Sequence, residues 1–450
     1  MEVVAPSSVN YRDQLPLGIE AQSHRRLFFP STGDKYSNRS TNIIRIDVNA
    51  DAFLDTSQSY LSFKLTNEST KDVKPDLGQP VIKKLTVSSG GVVLEEIHNY
   101  NQLVGGILIP SQAGAGNLHE QSLNYSFGDD GATCGATAVG NYVSGGNGGG
   151  DANATNGSGI LKLDSTGSAG DGGSVTCCYK LISGLLDNDK YLPLSLLNAG
   201  ITLEIELCPG NELGMSRHAA AADINYALSE VRYAAHLINL SREFSDRLRA
   251  VQQASGGNLS IAGTSFRSFT GDFKAQDGPQ SINIPCRVRS IKSIFWKLSH
   301  ATANDFYNLS AGGHGNISQY QLKIGAVNYP PTAITCSTTN KITPYLELQK
   351  AFGKLGSTVH GDLLGAKSYF AKEHPTMFTA GGVMEFCPFG IDLESFRHQI
   401  ENGVDTSSRS LPMTLELTTS STPTAATAHI FVMYDSMFYV NIDGTMKVSS

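Results

Sequence analysis

At 450 residues the chain is long enough for two or three domains with full-sized cores. Its 46 glycines, its low charged fraction of 17% and its short clusters of Val, Ile, Thr, Tyr and Phe point to an all-β protein with long loops. A net charge of −7 gives no sign of a protein that coats nucleic acid through its phosphates, and no run approaches the roughly 18 apolar residues of a membrane span.

Residues 1–40 show little periodicity and are interrupted by Pro6, Pro16 and Pro30, so they read as an N-terminal arm. His24, Arg25 and Arg26 form a small basic patch in it. The simpler reading is a terminal arm ordered only where it lies against the body or a neighbour, and the sharper one is an arm that reaches under an adjacent subunit; the basic triplet is a lesser candidate for contact with nucleic acid or membrane. No basic segment followed by an apolar run opens the chain, so no secretory leader is expected.

Strands begin after residue 40. Ile43, Ile44, Ile46 and Val48 form one apolar run, and residues 60–65 (YLSFKL) alternate with the period of two that marks a half-buried strand. Residues 81–87 (VIKKLTV) lead to a turn at Gly90 and Gly91, and residues 98–104 have a helical pattern.

Residues 111–175 differ from everything around them. They hold 17 of the 46 glycines, and six acidic residues against the single Lys162, so five of the seven net negative charges lie there. A loop of that length is read as an exposed acidic protrusion. It lacks the lysine and following helix of a phosphate-binding loop. Order resumes at residues 175–182, and residues 201–207 (ITLEIEL) alternate cleanly.

Residues 229–240 are apolar and β-prone. Then the period changes: Phe244, Leu248 and Val251 recur at helical spacing, flanked by Arg242, Arg247 and Arg249. Ser241 is a suitable N-cap, and Gly256 and Gly257 a suitable stop. Residues 241–257 are therefore predicted to be a linker helix, its arginines a solvated or inter-barrel face.

Beyond Gly257 the plan restarts. Residues 281–288 answer the run at Ile43, and residues 293–299 (SIFWKLS) answer 60–65. Residues 320–325, with a turn at 328–331, answer 81–91. The helical pattern at 344–352 answers 98–104, residues 383–387 answer 175–179, residues 411–417 (LPMTLEL) answer 201–207, and residues 428–440 answer 231–240. The offset falls once, between the helical patterns and the strands that follow them, where the first half carries its long glycine loop. One insertion thus accounts for most of the drift. The expected domains are a first barrel at 41–240, the linker at 241–257 and a second barrel at 258–450. Strands so widely spaced fit jelly rolls better than up-and-down barrels.

The sequence yields no catalytic, cofactor-binding or metal-binding set. Its eleven histidines include no H-x-H and no HExxH pair, which argues against a two-domain cupin or a zincin, and no G-x-S-x-G elbow occurs. Asp187, Asp189, Asp129 and Asp130 offer oxygens of the kind calcium takes, but solvated turn aspartates account for them more simply. Trp296 alternates with Ile294 and Leu298 and is read as core. The seven cysteines are odd in number, irregular in spacing and without CxxC, so they read as small apolar fillers of a protein made in a reducing compartment. Cys177 and Cys178 should face opposite sides of one strand.

Five ordered segments carry a resemblance: FLDTSQSYLSFKL (53–65), GGVVLEEIHNYNQL (90–103), YLPLSLLNAGITLEIEL (191–207), SEVRYAAHLINL (229–240) and QLKIGAVNYPP (321–331). With them the chain resembles a double jelly-roll major capsid protein of an icosahedral double-stranded DNA virus, most of all those of Polinton-like viruses and virophages. The resemblance covers most of residues 40–445, and the glycine loop and the arm lie outside it. It implies two tandem jelly rolls and a structural role without cofactor. It further implies a homotrimer of pseudo-sixfold outline within the virion, in contact with penton and minor or cement proteins. Sequence-specific nucleic-acid binding and membrane insertion are not implied. The rival readings are a cupin- or lectin-like enzyme or glycan-binding protein on tandem barrels, and a single-barrel penton protein, which the duplication disfavours.

Overall fold

The computed structural model describes residues 21–69, 73–75, 79–112, 173–210, 215–217, 224–254, 256–300, 313–337, 339–340, 342–353, 355, 387–396, 401–408, 411–423 and 425–450. The strands of the first half are β1 (Ala21–Phe28), β2 (Lys35–Ser37), β3 (Ile43–Val48), β4 (Phe53–Asn67), β5 (Val73–Pro75), β6 (Ile82–Ser89), β7 (Val92–His98), β8 (Ser174–Tyr179), β9 (Leu192–Pro193), β10 (Ile201–Leu207), β11 (Met215–Arg217) and β12 (Tyr226–Leu240). Those of the second are β13 (Asn258–Phe273), β14 (Gly278–Asn283), β15 (Ile291–His300), β16 (Ile317–Ile324), β17 (Val327–Thr335), β18 (Phe389–Asp392), β19 (Met413–Thr419), β20 (Ala426–Asn441) and β21 (Met446–Ser449).

In the first half one sheet runs β1-β12-β4-β8 and the other β3-β10-β6-β7, with antiparallel pairing throughout. The first of these eight strands in the chain thus lies beside the last, the second beside the seventh, the third beside the sixth and the fourth beside the fifth. That wrapped order is a jelly roll. The second half repeats it, with sheets β13-β20-β15-β18 and β14-β19-β16-β17. Among the described residues no strand pairs across the halves. The chain is an all-β double jelly roll.

Alternation explains why the strands form where they do. In β10, Ile201, Leu203, Ile205 and Leu207 are buried while Thr202, Glu204 and Glu206 face outward. In β19, Met413, Leu415 and Leu417 repeat the pattern. Aromatic side chains fill the space between sheets. Phe63 meets Tyr179 edge-on with ring centroids 4.9 Å apart. Trp296 stacks on Phe389 at 4.1 Å and meets Tyr320 edge-on at 5.7 Å, so it is core, as expected.

Several details depart from the sequence reading. Residues 21–28, assigned there to an arm, form β1 and pair with β12 along their whole length, so the first barrel reaches back at least to Ala21. This strand is at the edge of its sheet and six of its eight residues are exposed, so it has no apolar alternation to detect. Its second-half counterpart β13 escaped notice too, because Gly263 and Gly271 interrupt its pattern. Residues 328–331, read as a turn, lie within β17. That strand ends its sheet, where prolines cost no ladder hydrogen bond; the turn is at Gly325, with φ of 61°. Of the strand expected at 383–387 only Cys387 falls among the described residues, and the sixth strand of the second barrel is β18. The acidic loop lies outside the described residues from 113 to 172.

The helix between the barrels spans Arg242–Ala254 and ends with Gly256 and Gly257 at positive φ, the Gly257 N–H donating to Gln252 O at 2.8 Å. Phe244 meets Phe53 of the first barrel edge-on at 6.4 Å, whereas Val251, expected in the apolar stripe, is 55% exposed. Gln252 is buried in its stead, its Nε2 donating to Val440 O in β20 at 2.9 Å. The polar side chain wins that position because it satisfies a backbone carbonyl of the second barrel. Arg247 and Arg249 are exposed.

Candidate assembly surface

The most specific polar construction among the described residues is the junction between the barrels. It begins at β7. Glu95 is 3% exposed there, and its carboxylate accepts the backbone N–H groups of Gly184 at 2.8 Å and Leu185 at 3.0 Å. Those bonds fold residues 183–187 into a compact turn, closed by the Leu186 N–H on Ser183 Oγ at 3.0 Å. The turn rests on β13 of the second barrel. Asn188 Nδ2 donates to Ala262 O at 2.7 Å, and Asn99 Nδ2 to Ser268 Oγ at 3.1 Å.

The contact is backbone on backbone. A Cβ at Gly263 would lie 2.2 Å from Gly184 O, and one at Gly184 would lie 3.0 Å from Thr264 O. Only glycine admits this approach. Further along, the Asn198 N–H donates to Gly444 O at 3.0 Å, tying the first barrel to the last hairpin of the second. β7 itself packs against β13 and β21. The sequence reading missed Glu95, Gly184 and Gly263. Two signals were available: an acidic pair interrupting the alternation of β7, and a glycine in mid-strand.

A second polar cluster braces Glu394, Glu401 and Gly403 of the second barrel. Lys292 Nζ lies 3.1 Å from Glu394 and 3.3 Å from Asp435. Asp435 also accepts from Ser290 Oγ at 2.7 Å and the Glu401 N–H at 3.0 Å. Burial opposes the charge on Lys292, yet Asp435 and Glu394 together hold its pKa above the usual lysine value. Every partner sits within one hydrogen-bonded unit, which makes it a brace for the chain.

The remaining candidates are accounted for individually. Arg25 lies over the Tyr60 ring at 5.4 Å and Arg26 over the Phe28 ring at 5.0 Å, so both basic side chains cover aromatic surface of the first barrel. Asp187 pairs with Lys180, Asp189 is exposed, and Asp129 and Asp130 lie outside the described residues. Cys177 is buried while Cys178 is partly exposed, as expected of opposite strand faces. Burial pushes the Cys208 and Cys336 thiols up to about 12 and Cys286 to about 11, so these thiols pack as apolar groups and are not reactive thiolates. No group of three or more His, Cys, Asp or Glu among the described residues is placed to hold a metal ion. No helix among them is long and apolar enough to cross a membrane.

No family model and no curated protein matches the sequence. Solved structures do match, over nearly the whole chain. The mavirus major capsid protein aligns with a TM-score of 0.53 at 11% identity, covering 100% of this chain and 95% of its own. The Faustovirus major capsid protein aligns with a TM-score of 0.54 at 8% identity, covering 95% of this chain and 92% of its own. A chain in the cryo-EM structure of the Sputnik virophage aligns with a TM-score of 0.56 at 10% identity, covering 100% and 93%. The chain therefore shares, almost end to end, the double jelly-roll fold of these virus capsid proteins.

Proposed function

We propose that the chain is a viral major capsid protein. It is a structural subunit whose trimers tile an icosahedral shell around a double-stranded DNA genome. One observation carries this reading: two eight-stranded barrels in tandem, wrapped in the same order and joined by a fixed junction. Each chain contributes two similar barrels, so three chains make a six-lobed tile, the outline that fills a hexagonal lattice. The mavirus and Faustovirus proteins support the reading by being matched over nearly their full length rather than in one barrel.

In this reading the barrels comprise residues 21–240 and 258–450, residues 241–257 link them, and the acidic glycine-rich segment 113–172, which lies outside the described residues, supplies the outward tower. The partners are further copies of the chain, with penton and minor or cement proteins at special positions of the shell. The protein is made inside the host cell, resides in the virion and has no catalytic task. No particular observation favours the cupin- or lectin-like alternative.

Light scattering on the expressed chain tests the reading. A mass of about 144 kDa, three times 48.0 kDa, is expected. A strictly monomeric species with hydrolase activity or a bound metal ion would rule it out.

A further inference from the structure

The junction between the barrels is made by two elements of the first, β7 and the turn at residues 183–188, and is received by β13 of the second. The repeat supplies both sides again. The counterpart of β13 is β1, which runs beside β12 as β13 runs beside β20. The counterpart of β7 is β17, and that of the turn is the segment leaving β18 at residues 393–396.

These counterparts are bare. Where the first barrel rests on it, β13 keeps only Ser260 exposed among residues 260–267, whereas β1 leaves six of its eight residues exposed, from Ala21 to Arg26. β7 packs on β13 and β21; β17 packs on β16 and on the helix Ile342–Ala351 of its own barrel, and its Val327 is 53% exposed. In the first turn Leu185 and Leu186 are each 1% exposed, but in the second Phe396 is 67% exposed.

Phe396 is held in place even so. In the first turn the Glu95 carboxylate accepts two successive backbone N–H groups. In the second, Asn402 Oδ1 does the same, accepting from Ser395 at 3.1 Å and from Phe396 at 2.8 Å. Lys292 and Asp435 tie down the flanking Glu394 and Glu401. An aromatic side chain whose backbone is fixed, yet which is left in water, loses little freedom on docking and suits an interface anchor. Charge agrees with β1 as its receiver. β1 carries His24, Arg25 and Arg26 and no acidic residue, and the turn offers a ring with the exposed Glu401 in the same hydrogen-bonded unit.

We propose that Phe396 and β17 of one copy of this chain dock on β1 of the next, at His24, Arg25 and Arg26. The inference rests on the capsid reading and assigns residues to the contact that reading requires. Pro330 and Pro331 withhold donors from the free edge of β17, so the contact is made by side chains and not by strand addition. A second copy is the occupant because β1 is the surface that receives the first barrel inside the chain, presented once more by the repeat. Such an interface is head-to-tail, and it closes into a ring when the rotation relating successive barrels is the same within and between chains.

A photo-cross-linking phenylalanine analogue at position 396 of the full chain, in a mixture of light and isotopically heavy protein, tests this. The expected product is a light–heavy adduct whose linked site lies within residues 21–28. Adducts only within one chain, or only to other segments, would overturn the proposal. In parallel, the Val327→Asp/Phe396→Asp variant, altered only at exposed positions, should lower the scattering mass threefold to 48.0 kDa with an unchanged circular dichroism spectrum. A doubly substituted chain that stays trimeric overturns this interface and leaves the capsid reading standing. A monomeric wild-type chain overturns the capsid reading itself.

Discussion

Trp296 sits at the centre of the second barrel, fully buried between Phe389 and Tyr320. Its replacement by alanine removes the largest side chain there and leaves a cavity that the two sheets cannot close. The expected cost is about 3–5 kcal/mol, read as a lower denaturant midpoint with an unchanged slope. His314 provides a pH handle on the same barrel. It is 4% exposed, burial alone lowers its pKa to about 4, and its Nδ1 accepts the Asn316 N–H at 3.1 Å. The folded state therefore binds this proton less readily than the unfolded state. The stability His314 contributes is complete above the unfolded value of 6.5 and is lost as pH falls toward about 4. Between pH 7 and pH 5 the loss should be about 1–2 kcal/mol, and a His314→Gln variant should show a flatter melting-temperature profile over that window. A profile identical to wild type would mean that other groups set the acid limit.

The elements themselves were legible to very different degrees. Strands with one wet and one dry face announced themselves, as in β10 and β19, where isoleucine, leucine or methionine alternates with threonine or glutamate. β1 gave no signal because it is an edge strand with hardly any buried residue, and β13 gave little because two glycines stand where side chains would mark the period. The linker helix was legible as a helix, but which residues it buries was not. Gln252 is inside and Val251 outside because a carbonyl of β20 lies within reach, a fact of tertiary structure. The junction was the least legible part. Glu95 and Gly184 lie about ninety residues apart in sequence, and nothing local to either announces the contact. Gly263 tests the junction directly. A Cβ there would lie 2.2 Å from Gly184 O, a backbone atom that cannot swing aside. Gly263→Ala should therefore cost about 1–3 kcal/mol in thermal or chemical denaturation, whereas Gly256→Ala, with nothing within 4 Å of its Cβ, strains only its own backbone.

At the scale of the whole molecule the duplication is the organising fact. It was visible in sequence as a displaced series of strand patterns, and the two pairs of sheets repeat the same strand order with no pairing between halves among the described residues. Duplication gives the chain two barrels of one strand order, held together at the junction of β7 and residues 183–188 with β13. In the proposed trimer three such chains make a six-lobed tile through three intermolecular contacts, where single barrels would need six. The internal junction, with its buried carboxylate and touching backbones, fixes the angle between the two barrels, and in the proposed assembly that angle decides whether a ring closes or an open chain grows. Electron microscopy of the purified wild-type protein tests this account most directly. Averages should show particles of threefold symmetry with six similar lobes around a centre. Isolated two-lobed particles, at concentrations well above those of a stable assembly, would contradict it.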